Sequence, residues 1–258
     1  MGNARYFLAL STLLAVGCDD RLSSSATEPT QNLSRQTALT KSVKPGAPLV
    51  DPRDNKTYAT VQVAGKLWMA ENLRFDTLNG KSTWCQGGDT AKCRKYGRLY
   101  NWQIAVRADS GVIYQCEVNL PPRGICPVGW HVPSKDEWTG LFDSLKGSSV
   151  AGRTLKEDSM WAKGIGGKPG IGTDSVGMSV LPAGYRFTGE QGYAFYGHTN
   201  PDSSFFDLGA RAFVWTRTNS SVGSCWSAWG MSLTKDRADA EMLSVPRSSG
   251  LSVRCVKD

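Results

Sequence analysis

Patterns that mark common catalytic and metal sites are missing from this sequence. Only two histidines, His131 and His198, occur in 258 residues. Neither histidine belongs to an HExxH motif, and no paired CxxC motif occurs, so no zinc site is expected. We expect His131 to donate a hydrogen bond that fixes the neighbouring backbone. No GxSxG nucleophile elbow occurs, and the glycine-rich stretch 164–172 lacks the Lys-Ser or Lys-Thr pair of a phosphate-binding loop. The sequence therefore predicts no catalytic residue, no metal and no cofactor.

A concentrated block of positive charge is also missing. The formal net charge of +7 is spread along the chain, and its densest basic segment consists of Lys92, Arg94, Lys95 and Arg98. Grooves that bind nucleic acids carry more basic residues, with aromatic residues between them. We therefore interpret this segment as a solvated loop and expect no nucleic-acid partner.

A hydrophobic run long enough to cross a bilayer is absent as well. The apolar run Tyr6–Val16 is too short for a transmembrane helix but typical of a signal-peptide core. We predict a signal peptide at residues 1–17, because the run closes on Ala15-Val16-Gly17-Cys18, which resembles a bacterial lipobox with Cys18 as the acylated residue. Acyl chains such as palmitate on Cys18 would anchor the protein to a membrane, which predicts a lipid-anchored protein of the bacterial cell envelope, at the outer membrane or cell surface. Ordinary secretion with Cys18 as a stray thiol is the alternative.

The rest of the chain divides into a tether and one domain. Residues 18–48 are rich in Ser, Thr, Gln and Ala without an apolar period, which is typical of a segment that cannot bury enough apolar surface to fold. Residues 49–258 are long enough for a sizeable core and are predicted as a single domain. The 28 glycines and nine tryptophans of the chain favour many turns and short strands over long helices.

The number of cysteines predicts three disulfides. Seven cysteines occur, and six remain if Cys18 carries lipid, an even number in an exported chain. Cys85 and Cys93 are close in sequence, a Cys126–Cys255 bridge would tie the central segment to the last strand, and Cys116 and Cys225 remain by elimination. Six cysteines allow fifteen pairings, and a Cys116–Cys126 clip is the main alternative.

The clearest local pattern is CPVGWHVPSKDEW at residues 126–138. Apolar residues alternate over 128–132, the period of a strand with one buried face. Ser134 stands three residues before Glu137, a capping box that starts a helix. An apolar stripe continues the pattern, so we predict a helix over residues 134–146 that Gly147 ends.

Other segments predict short strands and a second helix. Lys56–Glu71 alternates on both sides of Ala64-Gly65, which predicts a hairpin with a tight turn. Asn101 is placed to cap a helix from Trp102 to Ala108, and Lys156–Gly177 is predicted to be a loop. Further strands are predicted at Gly177–Tyr185, Phe213–Thr218, Trp226–Leu233 and Gly250–Val256.

Four motifs in order carry a family resemblance. They are YGRLYNW at 96–102, CPVGWHVP at 126–133, LPAGYR at 181–186 and SVRCVKD at 252–258. Together with WMAENL from Trp68 onward, they resemble the Fibrobacter succinogenes major paralogous domain. The resemblance implies an α+β domain of the C-type-lectin-like or formylglycine-generating-enzyme-like kind, with a twisted antiparallel sheet, two short helices and long disulfide-stapled loops. It also implies a secreted or lipid-anchored protein.

The same resemblance brings two chemical alternatives. Formylglycine-generating enzymes end on a similar arginine-cysteine strand and use a close pair of redox cysteines upstream of it, but here Cys225 alone closely precedes Cys255. An enzyme with a degenerate site of this kind is therefore an alternative rather than the main prediction. Asn200-Pro201-Asp202 has a faint likeness to the calcium loop of C-type lectins; a turn is the simpler interpretation, and calcium stays open.

Aromatic residues carry the remaining functional signal. Rings in glycine-rich or polar segments could stack on the faces of sugars, or they could fill the core of a domain with few aliphatic residues. The sequence thus predicts a non-catalytic, surface-displayed binding or adhesion module for polysaccharide or for another surface protein, and a purely structural envelope role is a further alternative. The candidate ligand-binding residues are Trp161, Tyr193, Tyr196, Trp226 and Trp229.

Overall fold

Short strands and helices make up the computed structural model, which describes residues 43–77, 82–107, 120–164, 171–187, 204–220 and 225–258. The predicted signal peptide, Cys18 and most of the predicted tether lie outside these residues, so those assignments stay predictions. Lys41–Asp258 forms one compact unit. Within the described ranges, every helix is too short or too polar to span a bilayer.

The described part of the chain contains four α-helices and thirteen strands. The helices are α1 (Thr90–Tyr96), α2 (Trp102–Val106), α3 (Lys135–Ser144) and α4 (Ser148–Leu155). The strands are β1 (Leu49–Val50), β2 (Thr57–Tyr58), β3 (Thr60–Val63), β4 (Lys66–Met69), β5 (Thr83–Trp84), β6 (Leu99–Tyr100), β7 (Trp130–His131), β8 (Tyr185–Phe187), β9 (Ser204–Phe206), β10 (Arg211–Ser220), β11 (Ser227–Thr234), β12 (Glu241–Pro246) and β13 (Val256–Lys257).

The strands form several antiparallel sheets. β10, β11 and β12 form a three-stranded meander, and β3, β4, β13 and β7 form a four-stranded sheet in which the last strand lies between β4 and β7. Three further ladders pair β1 with β2, β5 with β6 and β8 with β9. The antiparallel arrangement is as predicted, and the strands of the described residues are divided among several sheets where a single twisted sheet was expected.

The predicted hairpin over Lys56–Glu71 is confirmed. β3 and β4 pair antiparallel with Val63 opposite Lys66. Ala64 and Gly65 connect them with φ angles of 51° and 75°, both in the left-handed region that two-residue hairpin turns require. The alternating pattern and the turn residues therefore specified this element locally.

The helix start in the central segment is confirmed in detail. The Glu137 N–H donates to the Ser134 hydroxyl at 3.1 Å, and the Ser134 N–H donates to the Glu137 carboxylate at 2.8 Å. Both halves of the capping box are thus present. The preceding strand is shorter than predicted, because Val128 lies in a turn and is 75% exposed.

Two of the four helices were missed by the sequence analysis. α1 contains most of the basic segment that was predicted to be a loop, and the Asp89 side chain caps it by accepting the N–H of Ala91 at 2.8 Å. α4 starts immediately after Gly147, the residue predicted only to end α3. Neither helix has a long apolar stripe, so periodicity gave no signal for them.

Several strand boundaries also differ from the prediction. The segment predicted as a strand over Gly177–Tyr185 forms isolated bridges at Val180 and Gly184, and the regular strand β8 begins only at Tyr185. In the last segment only β13 is a regular strand, although Leu251 and Ser252 form isolated bridges. β12 was not predicted; it pairs along most of β11.

The start of the folded part lies earlier than predicted. Residues 43–48 were assigned to the tether, but the Gln62 N–H donates to the Lys44 carbonyl at 2.9 Å and the Gly46 N–H donates to the Thr60 carbonyl at 2.9 Å. Val43 packs against the apolar core. The backbone of this segment is therefore paired along β3, which a free tether would not be.

The apolar core lies on both faces of β10. Phe213 and Trp215 belong to one cluster of buried residues, and Ala212 and Val214 belong to the other. A strand whose two faces are both buried reads as a continuous apolar run. The predicted strand Phe213–Thr218 lies within β10, and the two apolar clusters pack against its opposite faces.

Lys156, the first residue of the predicted loop, is fully buried. Its ammonium donates to the carbonyls of Thr234 and Arg237 at 2.7 and 2.6 Å. Burial lowers the pKa of Lys156 to about 8. This side chain therefore ties the end of α4 to the connection between β11 and β12.

Two of the three predicted disulfides are confirmed. Cys85 is bonded to Cys93 and Cys126 to Cys255, which excludes the alternative clip between Cys116 and Cys126. Cys225 is also disulfide-bonded. Its partner and Cys116 lie outside the described residues, so the third pairing stays a prediction.

Candidate functional site

The structure separates the aromatic residues that the sequence grouped as one ligand site. Trp161 is only 5% exposed, and its indole N–H donates to the Val180 carbonyl at 3.1 Å. Its prediction as a ligand-binding ring is therefore wrong, because a buried ring offers no face to a sugar. Trp226 is 38% exposed, and the half-buried Trp229 has the Lys135 ammonium 3.5 Å above its ring centroid. Tyr193 and Tyr196 lie outside the described residues.

A different surface brings aromatic and charged side chains together. This groove, about 470 Å³ in volume, is called the Trp84 groove below. Its lining contains two partly exposed aromatic residues, one carboxylate and two guanidinium groups. The lining residues are Asp76, Thr83, Trp84, Cys85, Gly88, Thr90, Arg98, Arg186 and Phe205.

Trp84 occupies its position because three neighbours fix the ring. β5 pairs Trp84 with Leu99 of β6. A Cβ on Gly250 would lie 2.9 Å from a ring carbon of Trp84, so the ring packs directly on the glycine backbone. The Arg186 guanidinium lies 4.1 Å above the ring centroid, a favourable cation–π distance. The ring is thereby held at the surface.

β8 and β9 supply the opposite side of the groove. Arg186 is the direct antiparallel partner of Phe205, and direct neighbours on a strand pair point to the same face. Reciprocal hydrogen bonds of 2.9 and 2.8 Å between the backbones of Arg186 and Gly250 attach β8 to the last segment of the chain. Phe205 and Arg186 are therefore presented side by side.

Polar groups at the rim are also held in place. Arg98 forms an ion pair with Asp76 and donates to the Thr83 hydroxyl at 3.3 Å. The Cys85–Cys93 disulfide ties β5 to α1, which sets Thr90 at the edge of the groove. The groove thus offers aromatic surface, hydrogen-bond donors and a hydrogen-bond acceptor on a disulfide-fixed frame.

Sequence reasoning missed this site for a physical reason. Trp84 and Phe205 lie far apart in sequence, and each stands in a short strand whose exposure depends on its neighbours. The signal that could have drawn attention to Trp84 is its position next to Cys85, because a ring beside a disulfide is held in a fixed frame. Nothing in the local pattern distinguishes Phe205 from a core residue.

A larger groove of about 790 Å³ lies elsewhere, between the helix pair α3–α4 and the segment before β12. Its charged side chains pair with one another, since Arg237 contacts both Asp239 and Glu241. Phe142 is its one aromatic lining residue among those described, and it is 2% exposed. This groove therefore offers a ligand less recognition chemistry than the Trp84 groove.

His131 lies in an ion-pair cluster. Its ring nitrogens contact the carboxylates of Asp258 at 2.6 Å and Glu137 at 3.0 Å, and the Lys66 ammonium contacts Glu137 at 2.6 Å. The expected hydrogen bond from His131 to backbone is replaced by these side-chain contacts. Because both partners are acceptors, both ring nitrogens donate when the imidazole is protonated.

This cluster shifts the pKa values of both its central groups. Hydrogen bonding to Glu137, and then to Asp258, raises the pKa of His131 above its usual 6.5 against the opposing effect of burial. Burial would raise the pKa of Glu137, but hydrogen bonds from His131 and Lys66 outweigh it and hold that pKa well below its usual 4.5. The folded environment therefore favours the charged form of each of these two residues.

The stabilising effect of the cluster is expected to depend on pH. The stabilisation that His131 contributes is fully present below its unfolded pKa of 6.5 and is lost as the pH rises through its higher folded pKa. The stabilisation that Glu137 contributes is fully present above its unfolded pKa of 4.5 and is lost as the pH falls through its lower folded pKa. We expect His131→Gln to cost most stability near pH 5.5 and progressively less toward pH 9. Urea unfolding of both proteins across this range measures the difference; a cost that is independent of pH would contradict the assignment.

The part of the chain that the structure describes contains no set of side chains arranged to bind a metal ion. No group of three or more His, Cys, Asp or Glu side chains there is placed to hold a metal ion. The faint calcium loop at residues 200–202 lies outside the described ranges, and Asp207 near it forms an ion pair with Arg211 at 3.2 Å. The Trp84 groove is where the described residues bring aromatic and charged side chains together.

Comparison with known proteins places the chain in one family. No curated protein and no solved structure matches it. The model of the Fibrobacter succinogenes major domain matches residues 61–257, which includes β4 through β13, all but the first residue of β3, and every lining residue of the Trp84 groove. The matched span also contains the first three motifs on which the sequence resemblance rested and all of the fourth except its last residue, Asp258. The chain belongs to the Fibrobacter succinogenes major domain family.

Proposed function

We propose that this domain is a non-catalytic polysaccharide-binding module displayed at the bacterial cell envelope. The observation that carries the proposal is the Trp84 groove, in which partly exposed rings of Trp84 and Phe205 lie beside charged hydrogen-bonding groups. A pyranose has an apolar face and a rim of hydroxyl groups. A ring can cover the first, and fixed donors and acceptors can bind the second.

The hydrogen-bonding groups of the groove suit hydroxyl ligands. A sugar hydroxyl both donates and accepts. The Asp76 carboxylate supplies an acceptor, and the guanidinium groups of Arg98 and Arg186 supply donors. Since Asp76 and Arg98 already pair with each other, a ligand meets groups whose positions are set before it binds, which reduces the entropy cost of binding.

Binding has more support than catalysis. The enzymatic alternative, a degenerate formylglycine-generating-enzyme-like site, would need a reactive thiol. All five cysteines within the described residues are disulfide-bonded. In the His131 cluster the imidazole and Glu137 are each engaged in ion pairs, which suits a structural role.

The location and the wider kinship belong to the same proposal. The sequence Ala15-Val16-Gly17-Cys18 supports lipid attachment at Cys18, with the membrane as partner through that anchor. Incorporation of labelled palmitate by the wild type and not by Cys18→Ser tests it.

The antiparallel sheets and the long Cys126–Cys255 bridge support kinship with C-type-lectin-like and formylglycine-generating-enzyme-like folds. A protein ligand at the cell surface is the alternative to polysaccharide.

Replacing Trp84 by alanine is expected to weaken polysaccharide binding at least about tenfold, because the apolar wall of the groove and the ring that positions Arg186 are both lost. Calorimetry or affinity electrophoresis against a panel of neutral and acidic polysaccharides measures the change. Phe205→Ala is expected to weaken binding in the same direction. Melting temperatures of the variants show whether each one is folded.

Trp226→Ala is the matched control, because Trp226 is a tryptophan that is 38% exposed and does not line the groove. It should bind as the wild type does. If Trp226→Ala lost binding and Trp84→Ala kept it, the site would lie at the start of β11 instead. Failure of the folded wild type to bind any polysaccharide of the panel would overturn the proposal.

A further inference from the structure

We infer that the Cys85–Cys93 disulfide is a redox switch for the Trp84 groove, a bridge that a dithiol reduces while the domain stays folded. Its reduction releases the start of α1 from the wall of the groove and weakens ligand binding. The effect on binding concerns regulation of the same site and rests on the proposed function. The selective reduction of this bridge does not depend on any ligand.

The two bridges whose partners are both described differ in their access to solvent. Disulfide exchange requires a thiolate to contact one of the two sulfurs. Cys85 lines the Trp84 groove, and Cys85 and Cys93 are each 8% exposed. Cys126 and Cys255 are 1% and 0% exposed and belong to an apolar cluster of buried residues. A small reductant therefore reaches the short bridge from the groove before it reaches the long one.

Reduction by a dithiol proceeds in two exchange steps. One thiolate of the reductant attacks the Cys85 sulfur, forms a mixed disulfide and releases the Cys93 sulfur as a thiolate, which takes up a proton. The second thiolate of the reductant attacks the reductant's own sulfur in the mixed disulfide and releases Cys85 in the same way. The bridge has then gained two electrons and two protons, and the reductant leaves as a disulfide.

The fold tolerates loss of this bridge better than loss of the long one. The sequence separation is 8 residues for Cys85–Cys93 and 129 for Cys126–Cys255. Removing the shorter closed loop returns less conformational freedom to the unfolded chain. With the long bridge and the sheets intact, the reduced domain stays folded and the change is confined to the segment that the short bridge held.

That segment is the start of α1. α1 is described throughout and has one buried residue, Cys93, whose disulfide ties the helix to the residue after β5. The far end of the helix is held separately, because the Asn72 side chain donates to the Tyr96 carbonyl at 2.8 Å. Reduction therefore releases the end of α1 that carries Thr90 at the edge of the groove.

The short 3₁₀ turn Gln86–Gly88 stays attached on the other side. The Gln86 side-chain N–H donates to the Phe206 carbonyl of β9 at 3.1 Å. Gly88 of this turn and Thr90 of α1 both line the groove, so their relative position changes when α1 is released. A ligand then has to order a mobile wall, which adds to the entropy cost of binding.

Treatment of the full-length protein with dithiothreitol, followed by alkylation and peptide mass spectrometry, tests the reduction. We expect Cys85 and Cys93 to be alkylated at least about tenfold faster than Cys126 and Cys255. The near-ultraviolet circular dichroism spectrum should keep its native shape over the same interval. Equal rates for the two bridges, or loss of the native spectrum together with the short bridge, would overturn the inference.

Amide hydrogen exchange of the selectively reduced protein tests the release of the helix without any ligand. We expect the amides of α1 to exchange at least about tenfold faster after reduction, because a helix without its buried anchor opens more often. The amides of β10 and β11 should exchange as before. Unchanged exchange in α1 would contradict the proposed release.

Binding measurements separate the switch from the proposed function. With the polysaccharide that the oxidised protein binds best, we expect the reduced protein to bind at least about tenfold more weakly, and reoxidation should restore binding. Equal binding of the two forms would overturn the switch while the proposed function stands. Failure of the oxidised protein to bind any polysaccharide would overturn the proposed function, and with it the effect on binding.

The double variant Cys85→Ala with Cys93→Ala is the matched control, because it has no short bridge to reduce. Its binding should be weaker than that of the oxidised wild type and should not change with dithiothreitol. If dithiothreitol weakened its binding as much as it weakens that of the wild type, another disulfide would be responsible and the inference would fail.

Discussion

Arg254→Ala is expected to lower the free energy of unfolding by about 3–5 kcal/mol. Arg254 is fully buried in the segment before β13. It donates to the Asn72 side-chain oxygen at 2.8 Å, to the Ser179 carbonyl at 2.9 Å and to the Met178 carbonyl. Truncation would leave these three acceptors buried without that donor and would create a cavity, and both effects destabilise the folded state.

Burial itself opposes the charge on Arg254 and lowers its pKa to about 10. That pKa is still well above neutral pH, so the guanidinium stays charged, and the negative charges of Asp174 and Glu71 favour its charged form. Arg254→Lys is expected to fall between the wild type and the alanine variant, because an ammonium cannot reproduce the planar fork of donors.

Urea unfolding gives the measurement, with the midpoint and the slope compared among the variants. Arg237→Ala is the matched control, since it removes an exposed arginine whose ion pairs lie at the surface and should change stability little. A cost below about 1 kcal/mol for Arg254→Ala would show that the three contacts contribute little net stability.

Removing the Cys126–Cys255 disulfide is expected to cost about 4–5 kcal/mol, and removing Cys85–Cys93 about 2–3 kcal/mol. The reason is the length of chain that each bridge closes: the sequence separations are 129 and 8 residues. A longer closed loop removes more conformational entropy from the unfolded chain. The long bridge is therefore expected to contribute more to the free energy of unfolding, although each bridge is a single disulfide.

The comparison uses the double variants Cys126→Ala with Cys255→Ala, and Cys85→Ala with Cys93→Ala. All four cysteines are at most 8% exposed, so the two variants lose side chains of the same kind from similar surroundings. Unfolding in urea without reductant measures both. If the short bridge cost as much as the long one, local strain or packing rather than loop entropy would account for the stabilisation.

Loss of the short bridge should also affect the Trp84 groove. Cys85 lines the groove, and Cys93 lies in α1, so the bridge sets the helix against β5. The long bridge lies elsewhere, joining the residue after Ile125 to the residue before β13. We therefore expect loss of the long bridge to lower stability more, and loss of the short bridge to weaken ligand binding more.

Elements whose cause is local were predictable. The capping box of Ser134 and Glu137 uses residues three apart, and the turn at Ala64-Gly65 needs only two residues with positive φ. The amphipathic period of α3 is likewise contained in ten residues. In these segments short-range sterics and hydrogen bonds decide the structure before the rest of the chain is considered.

Elements that depend on distant partners could not be predicted from the sequence. β12 is a strand because it pairs with β11, and α4 packs through Ala151 and Leu155 but, at eight residues, is too short for its apolar period to be read from sequence. The exposure of a tryptophan follows the same rule: Trp161 is buried because Val180 and its neighbours cover it, whereas Trp84 stays at the surface over Gly250. Sequence could list the rings but not say which face would remain open.

The amino-acid sequence by itself determined the family, the hairpin and the capped helix α3. Short-range geometry and ordered motifs are enough for these, because each is specified within a few residues or by a recurring string. Only the tertiary structure decided which side chains meet at the Trp84 groove and how the cations Arg254 and Lys156 find acceptors. Those contacts join segments far apart in the chain, and their position follows from the packing of several sheets at once, which no single segment encodes.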